Sequence, residues 1–124
     1  MYYIDLELPS GNLWASEDYE FGKLFPFKEA RDFTHDEYDI PSYDDWIELL
    51  NCKYYYYENE GYRIYGKNKK SIFIPAKSFD KIYWSSTLSK RKDSAKNIGF
   101  SSGHDCIFMT TNTRKHSLRL IKKK

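Results

Sequence analysis

The spacing of apolar and polar positions changes period twice along the 124 residues. Tyr3, Ile4, Asp5, Leu6, Glu7 and Leu8 alternate, with Ile4, Leu6 and Leu8 on one side, so residues 3–8 read as a half-buried strand. Pro9-Ser10-Gly11-Asn12 is a turn cluster, after which Leu13-Trp14-Ala15 re-enters the core. Ser16-Glu17-Asp18-Tyr19 predicts a short helical turn that Gly22 ends. Phe21, Leu24, Phe25 and Phe27 then predict a dense apolar patch around Pro26, and the charged residues 28–40 a surface connection. From Ser42 the period is helical: Ser42 can cap, Asp45 stands three residues on, and Trp46, Leu49 and Leu50 fall on one face. Asp44 and Asp45 suit the positive end of the helix dipole, and Asn51 closes the element. Beyond it the period returns to two. Strands are expected at 54–57, 61–65 and 71–75, with 66–70 as a hairpin loop, and again at 82–86, 97–100, 106–109 and 117–121.

A helix-bearing half followed by a strand-rich half is the α+β class, with short helices packed on twisted antiparallel sheet. The length suits a single domain over residues 1–124. Folding at this size hides roughly two-thirds of the unfolded surface, so a core needs neither metal nor disulfide. Trp14, Trp46 and Trp84 each sit among apolar neighbours at the local period and are expected inside. Arg119 should point opposite to Leu118 and Leu120, as a partly buried guanidinium paired with a carboxylate of the first half.

Composition narrows the classes. A mean hydropathy of −0.78 and the lack of a long apolar run exclude a membrane-spanning helix. The first residues carry no secretory signal, which points to a cytoplasmic protein or one released in a phage particle. Aromatic residues reach 19%, 12 of them Tyr, whose stiff rings with a polar tip suit strands and binding faces. Residues 1–60 hold 15 acidic and 4 basic side chains, a net of −11; residues 61–124 hold 3 and 16, a net of +13, which together give +2. The plainer consequence is two halves that pack together and partly neutralise. Lys90-Arg91-Lys92 and Lys122-Lys123-Lys124 are expected in solvent. Cys52 and Cys106 have neither CxxC spacing nor zinc-ligand partners and read as buried free thiols.

Chemistry-bearing motifs are sparse. The chain has no phosphate loop, dinucleotide fingerprint, HExxH or GxSxG. Ser101-Ser102-Gly103-His104-Asp105 gathers a hydroxyl, an imidazole and a carboxylate, but neighbours in sequence rarely converge as a triad, and a turn between strands explains the run better. The acidic Asp32, Asp36, Glu37 and Asp39 lack the ligand spacing of a calcium loop. The reading is therefore no enzyme, no cofactor and no metal.

Seven segments, in order, resemble one family. Asp5-Leu6-Glu7-Leu8-Pro9-Ser10-Gly11-Asn12-Leu13-Trp14-Ala15, Glu20 to Ala30, the helix Ile40 to Cys52, Gly61-Tyr62-Arg63-Ile64-Tyr65-Gly66, Ser71-Ile72-Phe73-Ile74-Pro75-Ala76, Tyr83-Trp84-Ser85-Ser86 and Leu118-Arg119-Leu120-Ile121 are similar to motifs of the Fibrobacter succinogenes major paralogous domain family. The family's piece after Trp-Ala is missing, its insert before the helix is shortened, and its closing motif has changed, so the chain looks like a minimised, stand-alone copy. The resemblance implies a C-type-lectin-like fold whose termini meet in one sheet, and binding rather than catalysis. It also implies a ligand face between Tyr83-Trp84-Ser85-Ser86 and the last strand, which here is Ser89 to Lys115.

The leading expectation is thus a non-catalytic module that binds a protein or glycan with an acidic surface. Its candidate face is Lys90, Arg91, Lys92, Ser101, Ser102, His104, Thr111, Asn112 and Arg114, because polar and basic loops make adaptable contacts. The alternative is a structural or accessory component of a phage virion or an oligomeric assembly. Nucleic-acid binding through the basic half, or interference with host defence, is a weaker one. No membrane partner is expected.

Overall fold

A computed structural model describes residues 2–123 of the chain, so Lys124 of the terminal lysine run lies outside the described residues. The N-terminal alternation makes a strand only over Tyr3–Asp5 (β1). Glu7 adopts φ 54, a left-handed conformation that ends the pairing, while Leu6 and Leu8 on either side stay buried. Strand β1 pairs antiparallel with β2 (Leu13–Ala15), Ile4 opposite Trp14. The last strand, β9 (Ile121–Lys122), pairs with the other edge of β2, Trp14 opposite Ile121. First and last strands therefore share one sheet.

Residues 16–19 form no helical turn. Tyr19 donates its backbone N–H to the Leu118 carbonyl (2.8 Å) and Asp18 is drawn inward, so this backbone bonds to the C-terminal segment instead of to itself. The apolar patch around Pro26 divides: Phe25 is buried, whereas Phe21 and Leu24 are 70% and 53% exposed. The charged connection also holds a short helix, α1 (Phe27–Arg31), with Pro26 at its N-cap position and Ala30 buried. Ile40 is buried as well, and Asp39 forms a bridge to Ile121.

Helix α2 (Tyr43–Leu50) forms where its period predicts, with Ser42 and Asp45 in a capping box. Ser42 Oγ accepts from the Asp45 N–H (3.0 Å), and Asp45 Oδ2 accepts from the Ser42 N–H (2.9 Å). Strands β3 (Lys53–Tyr57), β4 (Gly61–Tyr65) and β5 (Ser71–Pro75) form a second antiparallel sheet. Gly61 adopts φ 147, and a Cβ there would press on the Ile74 carbonyl oxygen, so the position takes only glycine. A third sheet comprises β6 (Lys81–Leu88), β7 (Ala95–Phe100) and β8 (Ile107–Thr110). The β6–β7 register shifts between Trp84 and Leu88. The bulge lets the Ser86 N–H reach the Pro41 carbonyl (2.9 Å) and Thr87 Oγ1 accept from the Tyr43 N–H (2.9 Å), fastening the start of α2. Three antiparallel sheets with two short helices make this an α+β protein.

The strand expected at 117–121 shrinks to β9 and a parallel bridge from Ser117 to Tyr83. The cause is burial on every side: Leu118, Arg119 and Leu120 are no more than 1% exposed. The carbonyl at 120 still accepts from Ala15 of β2, but the one at 118 accepts from Tyr19, outside any strand. Arg119 donates from Nε to Asp18 Oδ1 (3.0 Å), from one terminal nitrogen to the Ala15 carbonyl (3.0 Å) and from the other to Phe73 (2.8 Å). The Tyr83 hydroxyl donates to the same Asp18 oxygen (2.6 Å), and Lys81 Nζ lies 2.8 Å from the second. Burial alone would push the Arg119 guanidinium down, but Tyr83 and Asp18 beside it more than offset this and raise it. The acidic half and the basic half thus meet inside the protein, as they also do on its surface where Lys123 faces Asp45 (3.7 Å). Trp14, Trp46 and Trp84 are fully buried, and Cys52 and Cys106 are half-buried free thiols.

Candidate functional site

Sheet β6-β7-β8 runs up, down and up, which decides where the nine expected residues go. Loop 89–94 and the chain leaving β8 at residue 111 emerge at one end; loop 101–106 emerges at the other. Strand β7 is 6 residues long, about 20 Å of chain, and that distance splits the candidate face in two.

Lys90, Arg91 and Lys92 stand exposed at the first end. Their loop is closed by the Ser89 N–H to the Ser94 carbonyl (3.2 Å) and turned by the Arg91 N–H to Ser89 Oγ (3.1 Å). The buried Ser94 hydroxyl reaches the carbonyls of Thr111 and Asn112, tying this loop to the next. Asn112 Oδ1 in turn accepts from the Arg114 N–H (3.0 Å) and from His116 Nε2 (2.8 Å). Burial, helped by Arg114 nearby, holds the His116 imidazole down at about 4 against the Asn112 contact, so it is neutral and donates. Thr111 and Asn112 are half-buried and Arg114 is exposed. Between the loops lies a hollow of about 450 Å3 bordered by Leu88, Lys90, Arg91, Lys96 and Thr111, with no carboxylate in its wall.

Ser101 and Ser102 do not belong to an exposed face. Both are buried, because three tyrosines of β3 and β4 hold their loop by its backbone and its carboxylate. The Tyr62 hydroxyl meets the Ser101 carbonyl (2.9 Å), Tyr56 donates to the Ser102 carbonyl (2.9 Å), and Tyr54 donates to Asp105 Oδ1 (3.0 Å). Asp80 Oδ1 accepts from the Ser102 N–H (3.0 Å). His104 alone of this group is exposed. Ser101 Oγ lies 3.4 Å from His104 Nδ1, a long contact, and Asp105 is engaged by Tyr54 rather than orienting the imidazole. Burial, with Asp105 beside it, raises the Tyr54 phenol, and burial raises Tyr62, so both remain protonated donors. Among the described residues no group of three His, Cys, Asp or Glu could hold a metal ion.

Two surface features were not anticipated. One hollow, of about 820 Å3, lies between the Leu6–Pro9 segment and β3–β4, walled by Tyr55 and Tyr65 and bordered by Lys53, Lys67 and Lys69. Cys52 borders it, but burial, with Glu48 nearby, pushes the thiol up and away from the reactive thiolate. The second feature is the exposure of Phe21 and Phe79 on one rim. Phe79, a lone apolar residue in Lys77-Ser78-Phe79-Asp80-Lys81, carries the sequence signal for that, and so does Phe21, between Glu20 and Gly22-Lys23.

No protein-family profile matches the chain, and no curated protein and no solved structure matches it either. The likeness to the paralogous-domain family accordingly rests on the sequence motifs.

Proposed function

We propose that the chain is a non-catalytic, C-type-lectin-like binding domain that takes an acidic protein or glycan surface on the loops at the first end of β6-β7-β8. The observation that carries this reading is the set of Lys90, Arg91 and Lys96 around a hollow without a carboxylate, with Lys92 exposed on the same loop. None of the four forms an ion pair with a described residue, although Asp93 shares the loop. Cations without a carboxylate partner, three on a braced loop and Lys96 on β7 over the Tyr43 ring, attract a polyanion at long range, and their field fades with salt. The shared sheet of first and last strands supports the lectin-like part of the reading, since the resemblance implies that closure. Asp105, engaged by Tyr54 and not by an imidazole, supports the non-catalytic part.

The test is fluorescence anisotropy with labelled poly-glutamate, a sulfated glycan and a single-stranded oligonucleotide, run at low and at physiological salt. Poly-glutamate or the glycan should bind the parent, and Lys90→Ala/Arg91→Ala/Lys92→Ala should weaken binding about tenfold or more with the melting temperature unchanged. Equal binding by the triple variant refutes the reading. Preference for the oligonucleotide transfers the surface to nucleic acid.

A further inference from the structure

We infer a second interaction surface, separate from the loop cations: a hollow that seats a bulky apolar side chain of an acidic peptide segment. The two most exposed large apolar side chains among the described residues are Phe79, 81% exposed, and Phe21, 70% exposed. Both border one depression of about 480 Å3, together with Leu24, which is also exposed. Exposed apolar residues scattered singly need no explanation, but three converging on one concavity mark a contact site.

The backbone presents these rings deliberately. Phe79 donates its N–H to the Lys77 carbonyl (2.8 Å) across Ser78, whose φ is 69: a γ-turn of the strained hand. Phe21 occupies the first corner of a turn closed by the Lys23 N–H to the Glu20 carbonyl (2.9 Å), with Gly22 at φ 89 on the second corner. Glu20, just before it, is also left-handed at φ 45. Both rings thus follow a non-glycine residue held in a conformation that L-residues avoid, an arrangement that clusters at binding sites.

Charge selects the occupant. Lys77, Arg114 and Lys115 line the hollow, are exposed, and form no ion pair with a described residue. Lys81 is already held by Asp18, and the one carboxylate in the wall, Asp80, is turned to the Ser102 N–H. The net field is positive around an apolar centre. Pro75 and Ile82 add aliphatic surface to the lining, and the buried His116 and Ser117 complete it. A flat lipid surface would leave this concavity unfilled. An inserted Leu, Phe or Trp flanked by Asp or Glu fits both the hollow and its rim. Of the nine residues expected from the sequence, only Arg114 borders it, so the surface stands or falls independently of the loop cations.

A bead-displayed library of random peptides, panned against the full chain, tests the proposal. Enriched peptides should combine a bulky apolar residue with acidic neighbours. Phe21→Ser/Phe79→Ser should lower their affinity about tenfold or more, since truncated aromatic anchors carry much of a contact. Lys77→Ala/Arg114→Ala/Lys115→Ala should weaken them and flatten the salt dependence, and Lys90→Ala/Arg91→Ala/Lys92→Ala should leave them unaffected. Unchanged circular dichroism of each variant confirms folding, as the altered side chains are exposed. The proposal is overturned if no peptide is enriched, if neutral peptides dominate, or if the double Phe variant retains full affinity. Phosphatidylserine vesicles or oligothymidine bound through the two Phe residues, with no peptide enriched, would also overturn it.

Discussion

Replacing Arg119 with Met removes a charge that is 1% exposed and leaves its surroundings unsatisfied. Asp18, itself buried, would retain Lys81 and the Tyr83 hydroxyl but lose a bonded guanidinium at 3.0 Å. The Ala15 and Phe73 carbonyls would lose the donors that now reach them at 3.0 and 2.8 Å. Breaking a buried pair from one side costs about 3–5 kcal/mol, against a total stability of roughly 5–15 kcal/mol for a typical domain. At this size that corresponds to a fall of roughly 10–20 °C in melting temperature. Arg119→Lys should fare little better, because one ammonium cannot span three acceptors in different directions. Urea melts followed by tryptophan fluorescence give the free energies. In a cycle with Asp18→Leu, the double variant should cost about 2 kcal/mol less than the two single changes added, since removing both charges leaves neither uncompensated. An Arg119→Met variant within about 1 kcal/mol of the parent, or strictly additive changes, would refute the reasoning.

Two further predictions concern His116 and the helix cap. His116 is held at about 4 in the folded protein and titrates near 6.5 unfolded, so the unfolded chain takes up the proton first as pH falls. Its contribution, at most about 3 kcal/mol, is complete above pH 6.5 and is lost as pH falls through 4. Urea melts of the parent and His116→Gln, which keeps a donor for Asn112, should diverge across that window; parallel pH profiles would contradict the assignment. Ser42→Ala removes one half of the capping box and should cost about 1 kcal/mol by the same melts. Coincident curves would mean that the box does not stabilise α2.

What could be read from the sequence follows from how local each determinant is. Helix α2 was legible because cap, dipole and apolar face all lie within ten consecutive residues, 42–51. Trp14, Trp46 and Trp84 were legible because a large ring flanked by apolar residues at the local period has few places to go but inward. The pairing of Arg119 with a carboxylate of the first half was legible from the charge asymmetry, although the strand alternation expected there does not form. The misses are tertiary. Helix α1 is too short, at 5 residues, to display a period. Residues 16–19 and 117–120 alternate or cap acceptably on their own, but their backbones bond to each other across the protein. The expected binding stretch was contiguous in sequence, whereas an antiparallel sheet sends alternate loops to opposite ends. Ser101 and Ser102 look like surface serines until Tyr56 and Tyr62 are placed over their carbonyls.

Those tyrosines carry a consequence for mutability. Loop 101–106 is gripped chiefly through its main chain: Tyr56 donates to the Ser102 carbonyl, the single Tyr62 O–H lies within 3.1 Å of the carbonyls of Ser101, His104 and Cys106, and its oxygen accepts from the Cys106 N–H. Carbonyl oxygens are the same whatever side chain follows them. The grip therefore persists when Gly103 or His104, both exposed, changes identity, and a Cβ at Gly103 would meet nothing within 4 Å. A segment fixed in path yet indifferent to its exposed residues can accept substitution without refolding, so the end of the sheet farthest from the lysine loop is where new specificities could be written into this scaffold at least cost to its stability.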